Sequence, residues 1–365
     1  LLVLLALRML SLERRKFDWI VLAVAGMAGV WVSSPSVFVL AACGLVMVVH
    51  AWRRRDQALM LSACIVGMLW LFSFAALYVV LVRKQIGNAT IQSTWAGAQG
   101  FAPFPPRHID DLKWYGHALF DYFIDPMGWR LAWLGPPCIF IGCVVLLRQR
   151  RYTLAALLTL PVVITLIASM LHVYPFATSQ RFEIPLWGRV VTFTIPLAIL
   201  VVGFTIEGIW RLRHIESRSL VGLLVILLLA PLVYDAARVT LSPHKVQETR
   251  AVMRHVADHM QPGDTVYVFW TAIPCFDYYA DKLGFDDAQV IRGTVSTQDP
   301  DGLGYHIGPL QHRGTVWVIF STIHDWTRQP YQQRMLDTLD RIGTREVTFT
   351  AHHAAAYRYD AGTLP

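Results

Sequence analysis

Long apolar segments separated by short polar turns fill the first two-thirds of this 365-residue chain. An apolar run of about 20 residues can cross a bilayer as a helix, and seven segments come near that length. The seven segments are 17–32, 37–52, 59–82, 131–147, 152–172, 188–210 and 219–238. Leu1–Leu10 has the pattern of a helix that began earlier. We therefore expect about seven full spans after an N-terminal remnant, in the C-terminal portion of a longer protein.

Basic residues concentrate in alternate connections between these segments, and this alternation predicts an orientation. Thirteen of them are Arg8, Arg14, Arg15, Lys16, Arg53, Arg54, Arg55, Arg148, Arg150, Arg151, Arg211, Arg213 and Arg218. Short loops rich in Lys and Arg stay in the cytoplasm. The intervening loops 33–36, 83–129 and 173–189, and everything after about residue 240, are therefore predicted to lie outside the cytoplasm.

The last third of the chain alternates short β-rich runs with apolar residues at helical spacing. Helices are predicted at His244–Met260, Ala272–Leu283 and Gln329–Ile342, and strands at Thr265–Trp270, Thr315–Phe320, Glu346–Thr350 and Ala356–Tyr359. This alternation favours an α/β fold with a mainly parallel sheet. We thus predict a polytopic α-helical membrane protein with a transmembrane region at 1–239 and a small extracytoplasmic α/β domain at 240–365.

Composition excludes several classes of protein. Hydrophobic residues make up 55% of the chain and charged residues only 16%, whereas soluble domains carry roughly a quarter charged residues. A disordered protein and an ordinary cytosolic enzyme do not fit these values. The net charge of +7 comes from the apolar part of the chain, where the orientation of the spans explains it, so no nucleic-acid partner is predicted.

The apolar segments carry few polar residues, whereas transport paths usually place ionisable groups at membrane depth. A coupled transporter or a channel is therefore disfavoured. Polar and aromatic residues instead gather in the 83–129 loop, where Leu112–Phe123 has the amphipathic pattern of a helix lying at the membrane interface. Simple anchoring explains this pattern. The alternative is that the loop forms a wall of a substrate cavity, and the candidate lining residues are Trp95, Trp114, Asp110 and Asp111.

A second predicted outer segment runs from His172 to Arg189, where an apolar span begins. An arginine at headgroup level can form bidentate, charge-assisted contacts with a phosphate group. It can equally extend to ordinary phospholipid. Arg189 is the first candidate for binding a lipid phosphate, and Arg181 and His172 are the others.

Four motifs together resemble a known family. Tyr174–Pro196 follow the order YPF…GR…F…P, and a last span then leads to PGDTVYVFWTAIPCFDYYADKLG at 262–284, GTVWVIFS at 314–321 and AAAYRYD at 354–360. This order resembles the C-terminal half of bacterial GT-C-type glycosyltransferases, the polytopic relatives of protein O-mannosyltransferases (glycosyltransferase family 39) and aminoarabinose transferases. The similarity covers most of residues 160–360, and its motifs reflect packing and topology rather than catalysis.

The resemblance implies transfer of a sugar from a polyprenyl-phosphate donor to a protein or glycolipid acceptor outside the cytoplasm, in the bacterial inner membrane and in contact with membrane lipid. The family's catalytic Asp lies in its first outer loop, which is expected upstream of Leu1, so the catalytic residue of this chain is unknown. No metal-ligating residues and no cofactor are predicted, although a divalent cation stays an open alternative. The competing hypothesis is a non-enzymatic polytopic protein whose outer domain binds a partner or an envelope polymer.

Overall fold

A computed structural model describes residues 1–10, 16–83, 95–96, 100–176, 187–212, 215–242, 247–293, 310, 313–321 and 329–360. The chain forms two compact units, Leu1–Ala237 and Arg238–Pro365.

The first unit is helical. Its α-helices are α1 (Leu2–Leu10), α2 (Lys16–Val32), α3 (Ser36–Arg54), α4 (Gln57–Leu77), α5 (Ile109–Ile124), α6 (Gly135–Arg148), α7 (Tyr152–Met170), α8 (Ile195–Trp210) and α9 (Ile215–Leu241). A π-helical turn, Tyr78–Val82, extends α4, and 3₁₀ turns at Ala132–Leu134 and Trp187–Thr194 precede α6 and α8. Each of the seven predicted apolar segments is thus largely helical.

Five helical segments are long and apolar enough to cross a membrane. They are Ser36–Arg54, Gln57–Val82, Tyr152–Met170, Gly188–Trp210 and Arg218–Leu241. Phe17–Val32 and Ala132–Arg148 are apolar helices too, but shorter. Large side chains on α4, including Phe72 at 76% exposure, point away from the helical core, as expected of a helix in contact with lipid. The chain is therefore a membrane protein with five candidate spans, and the count of seven stays a prediction.

Short polar turns set where the helices begin and end. Arg55 adopts the left-handed conformation (φ 54°) and closes α3, and the Asp56 carboxylate then accepts a hydrogen bond from the Leu59 N–H at 2.9 Å and caps α4. Such a side-chain cap satisfies one of the N–H groups that a helix start leaves unpaired. Two residues thus suffice to reverse the chain between neighbouring helices.

Small residues allow the helices to approach closely. A Cβ atom at Gly142 of α6 would lie 2.2 Å from the Val201 carbonyl oxygen of α8, and one at Gly208 would lie 2.5 Å from Val145 Cγ2. The Thr205 hydroxyl donates a hydrogen bond to the Cys138 carbonyl across the same interface. Interfaces between membrane helices are typically built from such small and hydroxyl-bearing residues. The α6–α8 pair therefore depends on Gly142.

The second unit is a five-stranded mixed sheet covered by helices. Its strands are β1 (Thr265–Val268), β2 (Val290–Arg292), β3 (Thr315–Ser321), β4 (Thr344–Ala351) and β5 (Ala354–Asp360), in the order β2-β1-β3-β5-β4. The helices are α10 (Thr249–His259), α11 (Ile273–Leu283) and α12 (Gln329–Ile342). Val266 and Val268 pack with side chains of α10 and α11, whereas Tyr267 between them belongs to a cluster with side chains of α12. Side chains alternate across a strand, so the unit has helices on both faces of the sheet.

Two sequence expectations about this sheet need correction. The sheet is not mainly parallel: β2, β1 and β3 are parallel, but β5 pairs antiparallel with β3 and with β4. The reason is that β4 and β5 are joined by only His352 and His353, and a two-residue connection permits only an antiparallel pair. The strand β2 was not predicted, because three residues are too few to show a period.

The close contact at Gly142 gives a stability prediction. We expect Gly142→Ala to destabilise the protein by about 1–3 kcal/mol, because the added methyl group overpacks the α6–α8 interface. Gly203→Ala is the matched control, since a Cβ atom at Gly203 of α8 meets no atom within 4 Å. Thermal unfolding of both variants in detergent measures the difference. An equal melting temperature for the two would show that the interface is not tightly packed.

Candidate functional site

Two separate segments of the chain meet at one end of the helical unit. The Ala102 N–H donates to the Ser169 hydroxyl at 2.9 Å, and the Phe176 N–H is shared between that hydroxyl at 3.2 Å and the Gly100 carbonyl at 2.8 Å. Further along, the Tyr122 and Thr194 hydroxyls are 2.8 Å apart. The segment after α4 is therefore bound to the segment between α7 and α8.

The remaining connections divide between the two ends of the unit. Phe38, at the start of α3, has its ring centroid 4.9 Å from that of Tyr174, which places the 33–36 turn at the same end. At the other end, Gln149 Nε2 lies 3.4 Å from Glu207 Oε1, which also pairs with the Arg211 guanidinium at 2.6 Å. Glu207 and Arg211 are one helical turn apart, so helical spacing explains their contact. Connections with many arginines lie at one end and aromatic-rich connections at the other.

Arg189 lies at the aromatic-rich end, in the 3₁₀ turn that begins the Gly188–Trp210 candidate span. Its side chain is exposed, and it has no ion pair within the part of the chain that the structure describes. Its backbone is fixed on both sides, since the Thr192 hydroxyl donates to the Arg189 carbonyl at 2.8 Å and the Tyr174 hydroxyl donates to the Val190 carbonyl at 2.8 Å. Burial raises the pKa of Tyr174, and the nearby Arg189 charge opposes that rise.

Asp125 contacts the backbone just before this arginine, and the sequence patterns did not single it out. Its half-buried side chain accepts a hydrogen bond from the backbone N–H of Gly188, the residue before Arg189. Burial raises the pKa of Asp125, and the Gly188 N–H opposes that rise. A Cβ atom at Gly188 would lie 2.6 Å from Asp125 Oδ1, so only glycine permits this approach. The available indications in sequence were the turn-forming Asp125-Pro126 pair and the GR motif.

The two acidic residues chosen from sequence occupy the opposite end of α5. Asp110 pairs with Lys113 at 2.7 Å, and Asp111 accepts hydrogen bonds from the backbone N–H groups of Arg107 at 2.7 Å and His108 at 2.9 Å. These contacts lower the pKa of both carboxyl groups. At 1.5 Å per residue, Asp110 and Asp125 are separated by about 22 Å along α5. Asp111 therefore starts the helix, whereas Asp125, just after its end, contacts Gly188.

The other predicted site residues lie around the same junction or outside the described residues. The Trp95 carbonyl accepts a hydrogen bond from the Gly100 N–H at 2.8 Å, and the Trp95 ring lies near Gly100. The exposed His172 has its ring 4.9 Å from that of Phe101, and the half-buried Trp114 packs edge-on against Tyr115 at 5.2 Å. Arg181 lies outside the described residues.

The turn that follows α5 is also tied to the last helix of the unit. The Arg130 guanidinium forms a two-pronged ion pair with Asp235 of α9 and lies 5.1 Å from the ring centroid of Tyr234. A planar guanidinium suits such bidentate recognition. Residues 125–130 are therefore held both by Gly188 and by α9. Among the described His, Cys, Asp and Glu residues, none form a group of three that could hold a metal ion.

Comparison with known proteins finds no matching family model, no matching curated protein and no matching solved structure.

The buried hydroxyl of Ser169 gives the first prediction about this site. Ser169→Ala removes the acceptor of the Ala102 N–H, and leaving a buried donor unsatisfied costs about 1–3 kcal/mol. We expect a lower melting temperature in detergent and faster proteolysis within residues 100–130. Ser62→Ala is the control, because the Ser62 hydroxyl donates to the Ala58 carbonyl of its own helix and holds no second segment among the described residues. If both variants unfold like the parent protein, Ser169 does not hold the two segments together.

The contact at Gly188 gives a second prediction. Gly188→Ala should displace Asp125, since the methyl group and the carboxylate oxygen would occupy the same space. We expect a destabilisation of about 1–3 kcal/mol. By contrast, Gly116→Ala in the exposed part of α5, where a Cβ atom meets nothing within 4 Å, should be stabilising by about 0.5–1 kcal/mol. Thermal unfolding measures whether each variant is destabilised or stabilised. A Gly188→Ala variant as stable as the parent protein would contradict the close approach of Gly188 and Asp125.

Proposed function

We propose that this chain is part of an integral-membrane glycosyltransferase, which transfers a sugar from a polyprenyl-phosphate donor to a protein or glycolipid acceptor on the extracytoplasmic face of the bacterial inner membrane. The observation that supports it best is an exposed Arg189 at the start of a candidate span, which has no ion pair within the described residues and follows a glycine whose N–H is bonded to the half-buried Asp125. The four motifs that resemble GT-C glycosyltransferases motivate the choice of reaction.

The leaving group of the donor is a phosphate, so the proposed reaction needs a cation at the level where the span begins. In the proposed reaction an acceptor hydroxyl oxygen attacks the anomeric carbon, the bond from that carbon to the phosphate oxygen breaks, and the polyprenyl phosphate leaves with the electron pair. A guanidinium is always charged near neutral pH and presents paired donors to phosphate. Arg189 would stabilise the charge that develops on the leaving phosphate. Its position at the start of a span matches the level where a lipid-linked phosphate would lie.

The proton of the acceptor hydroxyl needs a base, and the sequence resemblance expects that carboxylate upstream of Leu1. Asp125 has a different role in this proposal. Because it accepts the Gly188 N–H, it fixes the backbone just before Arg189 and positions the guanidinium. The aromatic residues of the 100–130 segment would contact the lipid-linked substrate. The arginine-rich end of the unit would then face the cytoplasm, and the second unit would lie outside it.

Transfer activity of the full-length protein tests this proposal. In proteoliposomes containing radiolabelled polyprenyl-phosphate sugars, we expect Arg189→Ala to lower the rate of transfer by roughly 10–100-fold, since a charge-assisted contact is lost. Arg150→Ala, at the opposite end of the helical unit, is the control and should retain the parental rate. Transfer that is unchanged in Arg189→Ala would refute the phosphate role, and no transfer by the parent protein would favour the non-enzymatic alternative.

Two substitutions of Asp125 separate positioning from proton transfer. Asn keeps an oxygen that can accept the Gly188 N–H but carries no charge, whereas Ala removes both. If Asp125 positions Arg189, Asp125→Asn should retain most of the transfer rate and Asp125→Ala should lose it with a raised KM for the donor. Equal and complete loss of kcat in both variants would instead make Asp125 the base.

A further inference from the structure

A cavity of about 580 Å³ lies at the turn between α3 and α4, at the arginine-rich end of the helical unit. Trp52, Arg53, Arg55, Gln57 and Met60 contribute to its walls. Cavities of roughly 300–1,000 Å³ accommodate drug-sized ligands, so this one is far larger than a bare phosphate ion needs. The proposed sugar transfer gives this cavity no role, because that reaction is assigned to the aromatic-rich end of the helical unit.

The charge of the lining is positive and available. The exposed side chains of Arg53 and Arg55 have no ion pair with any residue that the structure describes. Asp56, the one acidic residue of the lining, keeps its negative charge while it caps α4, so the two arginines leave the lining with a net charge of +1. A single guanidinium can recognise phosphate oxygens through two parallel N–H donors. The cavity therefore favours an anion with a phosphate group.

The level of the cavity along the candidate spans and its apolar walls indicate that its ligand is a lipid. It lies where the Ser36–Arg54 candidate span ends and the Gln57–Val82 candidate span begins. Trp52 is 71% exposed at its edge, and tryptophan is enriched at the level of lipid headgroups. Met60 supplies apolar surface that a free anion would not use. Phosphate next to hydrocarbon is the chemistry of a phospholipid.

We propose that this cavity binds the headgroup of one anionic phospholipid per chain, with its phosphate between Arg53 and Arg55 and its glycerol and upper acyl carbons against Trp52 and Met60. The site is independent of the proposed glycosyl transfer and does not require that activity.

Lipid binding to the full chain in nanodiscs tests the proposal. Native mass spectrometry would count adducts of phosphatidylglycerol and, in parallel, of phosphatidylcholine. We expect one tight phosphatidylglycerol adduct on the parent protein and an affinity lower by at least about tenfold in Arg53→Gln/Arg55→Gln, because two charge-assisted contacts are lost. Arg53→Gln alone should show a smaller loss and serves if the double variant does not fold.

The matched control removes the same charge from the neighbouring turn at the same end. Arg148 and Arg150 are exposed, lie outside the cavity lining, and Arg150 has the same left-handed backbone as Arg55. Arg148→Gln/Arg150→Gln should change the affinity less than about threefold. An equal loss in both double variants, equal binding of phosphatidylcholine, or displacement of the lipid by millimolar inorganic phosphate would overturn the assignment.

Discussion

A single buried hydroxyl decides where the longest connection of the helical unit lies. Ser169, at the end of α7, accepts hydrogen bonds from the backbone N–H groups of Ala102 and Phe176, and it is fully buried. Buried backbone donors need partners, so the 100–130 segment cannot leave this position without exposing or orphaning them. Because this segment is anchored there, its far end brings Asp125 to the backbone N–H of Gly188, the residue before Arg189. The candidate site is thus a consequence of how the loops are bound to the helical ends.

The two ends of the helical unit differ in the chemistry they offer. One end collects short turns with arginines, among them Arg53 and Arg55 around a cavity. The other collects aromatic residues, one arginine at the start of a span and a half-buried carboxylate. The helix α3 begins beside Tyr174 and ends at Arg54, so about 27 Å separates the ends at 1.5 Å per residue. This asymmetry suits a protein that binds ordinary anionic lipid on one side of a membrane and handles a lipid-linked substrate on the other.

Sequence patterns predicted the elements well and the site only in part. Apolar length identified seven helical segments of the first unit, an amphipathic pattern identified α5, and the i,i+4 spacing of Glu207 and Arg211 accounts for their contact. Elements too short to show a period, such as Val290–Arg292, were missed. Asp125 was missed for a different reason: its proposed role depends on a tertiary contact with Gly188, which lies 63 positions later in the sequence. Likewise Asp235 pairs with Arg130, 105 positions earlier in the sequence, and local sequence carries no trace of that contact.

The central claim is that the aromatic-rich end with Arg189 faces outward and the arginine-rich turns face the cytoplasm. Single cysteines at two exposed positions, Lys113→Cys and Arg150→Cys, in a variant without the five native cysteines, test it directly in intact cells. A membrane-impermeant maleimide should label position 113 in sealed cells and position 150 only after the membrane is opened. Labelling of position 150 alone in sealed cells would invert the orientation and contradict the account.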